Sequence, residues 1–313
     1  MKARRTLIAS SKRGSLQTVS TDGAPQSRGP TTERLDRALV NRGLARSRGI
    51  AHDVIVQGAV TVQDRVATKP SQTVATTDRI EVAPDALPAW VGRGADKLEA
   101  AVNTWPDFAA QIHGARCVDV GASTGGFTQV LLSRGASAVV ALDVGTGQLA
   151  PAVAENPRVV DRSGTHVLKV HASDVQAPFG VLVADLSFIS LNLVIPHVSR
   201  WCTPEAALVL LIKPQFEVGK DALGRSGVVR SVRARVKAVA GVVDTAYDNG
   251  LALRGAMTSP IHGTHGNLEY LIWASPVQPG MMDRAAAQTA IRATAAREAL
   301  APRSTPAERG TLT

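Results

Sequence analysis

Only eight lysines occur in the chain, against 27 arginines, and two of the eight sit where chemistry could use them. Lys213 ends the apolar run Ala-Ala-Leu-Val-Leu-Leu-Ile and precedes Pro214-Gln215-Phe216-Glu217; Lys97 lies in Arg93-Gly94-Ala95-Asp96-Lys97-Leu98. Asp185 follows the apolar run Val-Leu-Val-Ala, and Glu269 follows Gly266-Asn267-Leu268 and opens another apolar stretch. Two amines and two carboxylates suit alkylation of a poor nucleophile, such as a ribose hydroxyl, which is far too weak an acid to ionise at neutral pH. An amine made less basic by burial or by a neighbouring cation can take that proton; a second amine can be the neighbouring cation, and carboxylates can orient both. Glu217 and Lys220 compete with Glu269 and Lys213 for these roles.

A glycine-rich turn is the second chemical signal. Val118-Asp119-Val120 runs into Gly121-Ala122-Ser123-Thr124-Gly125-Gly126-Phe127. Glycines after a strand let backbone approach a ligand closely. A pyrophosphate binder would show G-x-G-x-x-G, which this loop does not match. The turn suits a nucleoside ligand without a pyrophosphate, such as S-adenosylmethionine, with Gly121, Ser123, Thr124, Gly125, Gly126 and Phe127 as its lining. Asp143 ends the next apolar run, Ala138–Asp143, where a carboxylate can accept hydrogen bonds from both ribose hydroxyls.

The elements that must hold these groups follow from the apolar pattern. Strands are predicted at Cys117–Val120, Ala138–Asp143, Val181–Leu186, Ala207–Ile212 and Leu268–Ala274, with helices near Thr128–Arg134, Leu191–Cys202 and Val232–Tyr247. Apolar strands alternating with helices specify an α/β domain with a mostly parallel sheet covered on both faces. Asp185 and Lys213 then close consecutive parallel strands and face one crevice. This domain is read as residues 93–278, preceded by a Pro-containing linker at 83–92 and followed by a flexible extension at 279–313, a short Ala-rich helix and a frayed end.

Ahead of the linker, residues 32–82 read as a small α+β unit. Thr31 or Thr32 is placed to cap a helix from Glu33, with Leu35, Leu39 and Val40 on one face; Ser47 is placed to cap a second helix carrying Ile50, Val54 and Ile55. Val60–Val62 and Ile80–Val82 read as short strands, with a turn at Gln63-Asp64-Arg65. The formal charge of +9 is concentrated in the N-terminal quarter: residues 1–82 hold a surplus of seven positive charges, whereas residues 83–280 balance to zero. Arg34, Arg37, Arg42, Arg46 and Arg48 make a basic surface suited to an acidic partner such as nucleic acid, with Lys69 as a further candidate contact. Residues 1–31, basic and poor in large apolar side chains, read as a disordered tail. The single cysteines Cys117 and Cys202 exclude a disulfide scaffold and a Cys-based zinc site, no metal is expected, and no apolar run is long enough to span a membrane. With no hydrophobic segment for secretion, the expected location is cytoplasmic.

These residues resemble known families. Arg34-Leu35-Asp36, Arg46-Ser47-Arg48, Gly58-Ala59-Val60 and Lys69-Pro70-Ser71 resemble the S4-like RNA-binding domain. Residues 93–274 resemble FtsJ-like ribose methyltransferases through Asp119–Phe127, Asp143-Val144-Gly145-Thr146-Gly147, Ala184–Ser190, Lys213-Pro214-Gln215-Phe216-Glu217 and Gly266-Asn267-Leu268-Glu269-Tyr270. The combination resembles the TlyA (hemolysin A) family of ribosomal RNA cytidine-2′-O-methyltransferases. The resemblance implies a Rossmann-like methyltransferase sheet, S-adenosylmethionine as cofactor, and ribosomal RNA or ribosomal subunits as partner. It also implies a catalytic set at Lys97, Asp185, Lys213 and Glu269, with Asp185 near the cofactor as well; on the basic surface the candidate RNA contacts are Arg34, Arg37, Arg46, Arg48 and Lys69. Two departures stand out: Gly94-Ala95-Asp96 replaces the family's paired glycines before the first lysine, and Ser163-Gly164-Thr165-His166 replaces its Thr-Asn-x-Arg. The competing readings are an RNA-binding protein with an inactive transferase domain, a membrane-lytic protein, and a methyltransferase of small molecules or proteins.

Overall fold

A computed structural model describes residues 31–45, 48–86, 90–219, 223, 227–263 and 265–297. The chain divides into two units, residues 1–87 and 88–313.

In the first unit, β1 (Thr32–Arg34) leads into α1 (Leu35–Asn41), and α2 (Arg48–Val56) follows. Then come β2 (Val60–Val62), β3 (Arg65–Ala67), β4 (Thr73–Ala75) and β5 (Ile80–Val82). The sheet order is β3-β2-β5, with β1 pairing antiparallel to β4. Leu35, Leu39, Val54, Ile55, Val60 and Val74 fill a core between the helices and these strands. The helix expected from Glu33 starts instead at Leu35, and no threonine caps it: Arg34 is the N-cap and its side chain makes no capping bond. Residues 32–34 are spent on the ladder with Thr73–Ala75. The turn at Gln63-Asp64 has both residues at positive φ, the geometry of a tight two-residue hairpin, so Arg65–Ala67 pairs back on β2 as a strand that the sequence pattern did not reveal. The proposed Ser47 cap lies outside the described residues.

The second unit opens with α3 (Gly94–Thr104) and α4 (Pro106–Ile112). There follow β6 (Arg116–Val120), α5 (Gly126–Ser133), β7 (Ala138–Asp143), α6 (Pro151–Ala154), β8 (Val159–Ser163), β9 (Phe179–Ala184) and α7 (Leu191–Val198). The last third holds β10 (Cys202–Ile212), α8 (Pro214–Glu217), α9 (Val232–Asp248), β11 (Leu251–Thr258), β12 (Tyr270–Pro276) and α10 (Arg284–Arg297). Seven strands form one sheet in the order β11-β12-β10-β9-β6-β7-β8. Strands β10, β9, β6, β7 and β8 run parallel, and β12 lies antiparallel between β10 and β11. One face packs against α3, α4 and α5 through Leu98, Phe108, Ile112, Val130 and Leu131; the other packs against α7, α9 and α10 through Val194, Val198, Val239, Val243 and Ile291. The inner stretches of these strands are buried on both faces, which is why Val139–Leu142, Val181–Ala184 and Ala206–Ile212 are apolar throughout; β6 interrupts the pattern with the buried Asp119.

The chain leaves β6 toward β7 and β8 on one side and returns as β9 on the other, so the strand order reverses beside β6. A crevice opens at such a reversal, beyond the carboxyl ends of the strands. Within 279–313, read from sequence as a flexible extension, α10 is packed: Ala287, Ile291 and Ala295 are fully buried. Residues 298–313 and the N-terminal tail through residue 30 lie outside the described residues. Of the linker, Pro84–Ala86 forms a 3₁₀ turn, and Val91 is buried with its amide donating to Gln129 Oε1 at 2.7 Å.

Candidate active site

The four polar residues singled out in the sequence meet in one ion-pair chain. Lys97 Nζ donates to Glu269 Oε2 at 2.8 Å and to Asp185 Oδ2 at 3.3 Å. The other oxygen of Asp185 lies 2.6 Å from Lys213 Nζ, which also donates to Ser187 Oγ at 2.9 Å. All four side chains are largely buried, from 2% exposed at Glu269 to 16% at Asp185. Each is delivered by a different element: Lys97 by the first turn of α3, Asp185 by the end of β9, Lys213 by the end of β10, and Glu269 by the residue before β12. β9 ends at Ala184, one residue before Asp185, so the carboxylate stands in the crevice instead of the sheet. Burying four charges together is tolerable because each faces an opposite charge; removing one partner would leave an uncompensated buried ion.

The rival residues fall elsewhere. Glu217 accepts from Ser190 Oγ, the Leu191 amide at 2.8 Å and Asn192 Nδ2 at 2.9 Å, so it holds the start of α7. Burial pushes its carboxyl above the usual range, against those hydrogen bonds. Lys220 lies outside the described residues.

Two adjoining cavities surround the chain of charges. One, of about 240 Å³, is lined by Lys97, Asp185, Lys213 and Glu269 together with the glycine turn and Arg93, His262 and Gly263. The other, of about 480 Å³, is lined by Asp143, Val144, Thr165, His166, Leu186 and Phe188, among others. Gly121, Ser123, Asp185 and Ser187 belong to both walls. Gly121 has φ +91°, and a Cβ there would lie 2.5 Å from the Asp185 carbonyl oxygen, so glycine is required for the two strand ends to close up. Ser123, Thr124, Gly126 and Phe127 line the smaller cavity; Gly125 does not, its Cα facing Val153.

Asp143 accepts the Ser123 amide on Oδ2 and the Gly145 amide on Oδ1, both at 2.8 Å. The second strand end and the glycine turn are thereby tied together, and each carboxylate oxygen keeps a further lone pair. Beneath the turn, Asp119 is fully buried; Thr128 Oγ1 donates to its Oδ2 at 2.7 Å, and Oδ1 has no hydrogen-bond partner among the described residues. Burial pushes its carboxyl up to about 7, with the charges of Asp185 and Asp143 acting in the same direction.

These cavities fit S-adenosylmethionine. The larger offers an apolar wall (Leu142, Val144, Leu186, Ile189) for a base and the Asp143 carboxylate for a ribose diol; the carboxylates of Asp185 and Glu269 suit a nearby cation. The residues that sequence reasoning missed are Ser187, Arg93, His262 and Gly263. Ser187 was within reach of a local argument, two residues past Asp185. The others were not: Arg93 Nη2 donates to the His262 carbonyl at 3.1 Å, a contact across 169 positions. Gly263 is tightly constrained against the catalytic chain, since a Cβ would sit 2.4 Å from Glu269 Oε1.

In the first unit, Arg34, Arg37, Arg48 and Lys69 are all exposed, and Arg46 lies outside the described residues. Arg42 belongs to a different group: its guanidinium donates to the carbonyls of Ala75 and Asp78, so it braces the unit from within. Among the described residues no group of side chains could hold a metal ion, and no helix is long and apolar enough to cross a membrane.

Comparison with known proteins agrees with this geometry. Residues 90–275 match the FtsJ-like methyltransferase model and residues 33–80 the S4 domain model. The chain is 44% identical over 240 residues to the 16S/23S rRNA (cytidine-2′-O)-methyltransferase TlyA of Mycobacterium tuberculosis, covering 77% of this chain and 88% of that protein. It is 35% identical to Hemolysin A of Brachyspira hyodysenteriae, covering 76% and 98% respectively. A solved structure described as a hemolysin from Streptococcus thermophilus superimposes with a TM-score of 0.63 at 31% identity, covering 86% of this chain and 95% of that one. The chain therefore belongs to the FtsJ-like methyltransferase family, in the branch that joins an S4 domain to the transferase and includes TlyA.

Proposed function

We propose that this protein transfers a methyl group from S-adenosylmethionine to a ribose 2′-hydroxyl of ribosomal RNA, cytidine being the nucleotide named for its relative. The observation that carries the reading is the buried chain Lys213–Asp185–Lys97–Glu269 at the junction of the two cavities.

S-adenosylmethionine, when bound, supplies a methyl carbon on a sulfonium, a cation that becomes a neutral thioether once the methyl is lost. Gly121 to Phe127 and Asp143 would hold it. Lys213, in its neutral form, accepts the 2′-hydroxyl proton as the oxygen–carbon bond forms. Asp185 and Ser187 aim the Lys213 nitrogen, while Lys97, fixed between two carboxylates, sets the charge that Asp185 presents. Holding oxygen, carbon and sulfur in line supplies several kcal/mol more, at most about 7–11.

The S4 domain supplies the grip on RNA. Arg34, Arg37, Arg48 and Lys69 present positive charge to phosphates, and Arg46 is assigned with them from sequence. The tail, the linker and the C-terminal extension are assigned no part in catalysis. The RNA is taken as part of ribosomal subunits, and the site of action as the cytoplasm. The test is incubation of ribosomal subunits with isotopically labelled S-adenosylmethionine, followed by mapping of the modified nucleotide. Label on a ribose 2′-oxygen of ribosomal RNA is expected. Label only on protein or on bases, or no label, overturns the reading, the last favouring an RNA-binding protein without transferase activity.

A further inference from the structure

We propose that Asp36 is a positioning residue for RNA capture, locking Arg34 and Arg48 into one fixed guanidinium pair whose outward faces receive an RNA phosphate. The inference rests on the reading of the first unit as RNA-binding. Asp36 stands at the second residue of α1 with its side chain 6% exposed, whereas those of Arg34 and Arg48 are 48% and 62% exposed. Arg34 engages it with two parallel bonds, Nε to Oδ1 at 3.0 Å and Nη2 to Oδ2 at 2.9 Å. Arg48, the first residue of α2, adds Nη2 to Oδ2 at 3.0 Å. The two helices therefore meet over one carboxylate, and each brings an arginine to it. Among the described residues neither guanidinium has another hydrogen-bond partner, and both side chains are exposed.

Such an arrangement removes a cost from binding. A free arginine loses much rotamer freedom when it grips a phosphate. An arginine already held by one edge of its fork has lost that freedom during folding, and its other edge still matches phosphate geometry. The hydrogen bonds from Arg34, then those from Arg48, hold the Asp36 carboxyl far below its usual range despite burial, so the clamp stays charged across the physiological range.

Charge alone and positioning make opposite predictions for Asp36→Asn. The substitution deletes a negative charge from a basic surface, so attraction alone would tighten RNA binding. Positioning predicts weaker binding. The experiment measures, with the full chain, affinity and methyl transfer for intact ribosomal subunits, and affinity for polyuridylate as a charge control. Asp36→Asn is expected to lower subunit affinity about tenfold and raise KM for subunits with kcat unchanged, the scale of one lost charge-assisted bond, while polyuridylate binding holds or tightens. Arg34→Lys and Arg48→Lys keep the charge but lose the fork, and each should weaken subunit binding similarly. Either one combined with Asp36→Asn should add little further loss, the sign of a coupled unit. Because both lysine variants lie on exposed side chains, they test the idea even if Asp36→Asn fails to fold. Subunit affinity unchanged or tighter in Asp36→Asn, or full additivity with the lysine variants, overturns the role of Asp36. If Arg34→Ala combined with Arg48→Ala binds subunits as the parent does, the assignment of this surface to RNA fails instead.

Discussion

Asp36 and Asp119 are both buried aspartates, one in each unit, and their surroundings drive them in opposite directions. Asp36 faces two arginines and its carboxyl is held far below the usual range. Asp119 faces a threonine and two other carboxylates, and its carboxyl is pushed up to about 7. Burial opposes ionisation in both; what differs is whether cations reach the carboxylate. In the S4 domain the cations lie at the surface and the acid beneath serves to hold them. In the transferase domain the cations Lys97 and Lys213 are drawn inward onto Asp185, and Asp119 below them is left without one. One region thus shows its positive charge to solvent, and the other closes positive and negative charge upon each other in a cleft.

The sharpest way to test this contrast is to break the inner network. Lys213→Ala should lower methyl transfer about 10²- to 10⁴-fold while S-adenosylmethionine binding, measured by calorimetry, survives. Transfer at the parental rate would remove Lys213 from its role. Next in size is the pH response of Asp119. Its folded-state carboxyl holds its proton more tightly than in the unfolded chain, so its own contribution to stability is full below about pH 4 and is lost as pH rises toward about 7. Asp119→Asn should remove this decline, a difference on the order of 4 kcal/mol at neutral pH, seen as a flatter dependence of Tm on pH. An unchanged slope would show that Asp119 ionises freely in the fold. Gly263→Ala should come third. The added methyl group must push Glu269 from Lys97, lowering kcat about a hundredfold with little change in KM for S-adenosylmethionine. Parental kcat would show that the loop yields instead. The smallest effect belongs to Glu217→Ala, which removes the bonds that hold the start of α7. It should cost about 1–2 kcal/mol in denaturant unfolding, and activity of the folded fraction should be unaffected. A loss of activity without a loss of stability would return Glu217 to the catalytic set.

The parallel core was legible because the inner stretches of β7, β9 and β10 are buried on both faces, and a stretch with no solvent side is apolar; β6 keeps that pattern apart from Asp119. The edge strands were not. β8, Val-Val-Asp-Arg-Ser, has no buried residue, and β11 is broken by Arg254-Gly255, where its register with β12 shifts. Helix α3 was hidden for another reason: it begins after Arg93 with no side-chain cap, so its start leaves no local mark. The site shows the same division. Asp185 and Lys213 could be placed because a parallel strand ends where the crevice begins. The choice between Glu217 and Glu269 could not be made from spacing, since it depends on which carboxylate reaches α3 and which reaches α7. Gly263 and Arg93 matter only through partners remote in sequence, and no periodicity encodes them.

The placement of β12 has an effect on how the enzyme comes into being. It is the last strand in chain order, yet it is inserted between β10 and β11, and the residue preceding it is Glu269. A chain still emerging from the ribosome already carries the glycine turn, Lys97, Asp185 and Lys213 before this strand exists. Lys97 then has only Asp185 to lean on, and an inner edge of the sheet stands open. Catalytic competence and closure of that edge arrive together, with the same final hairpin, so an incomplete chain cannot have one without the other.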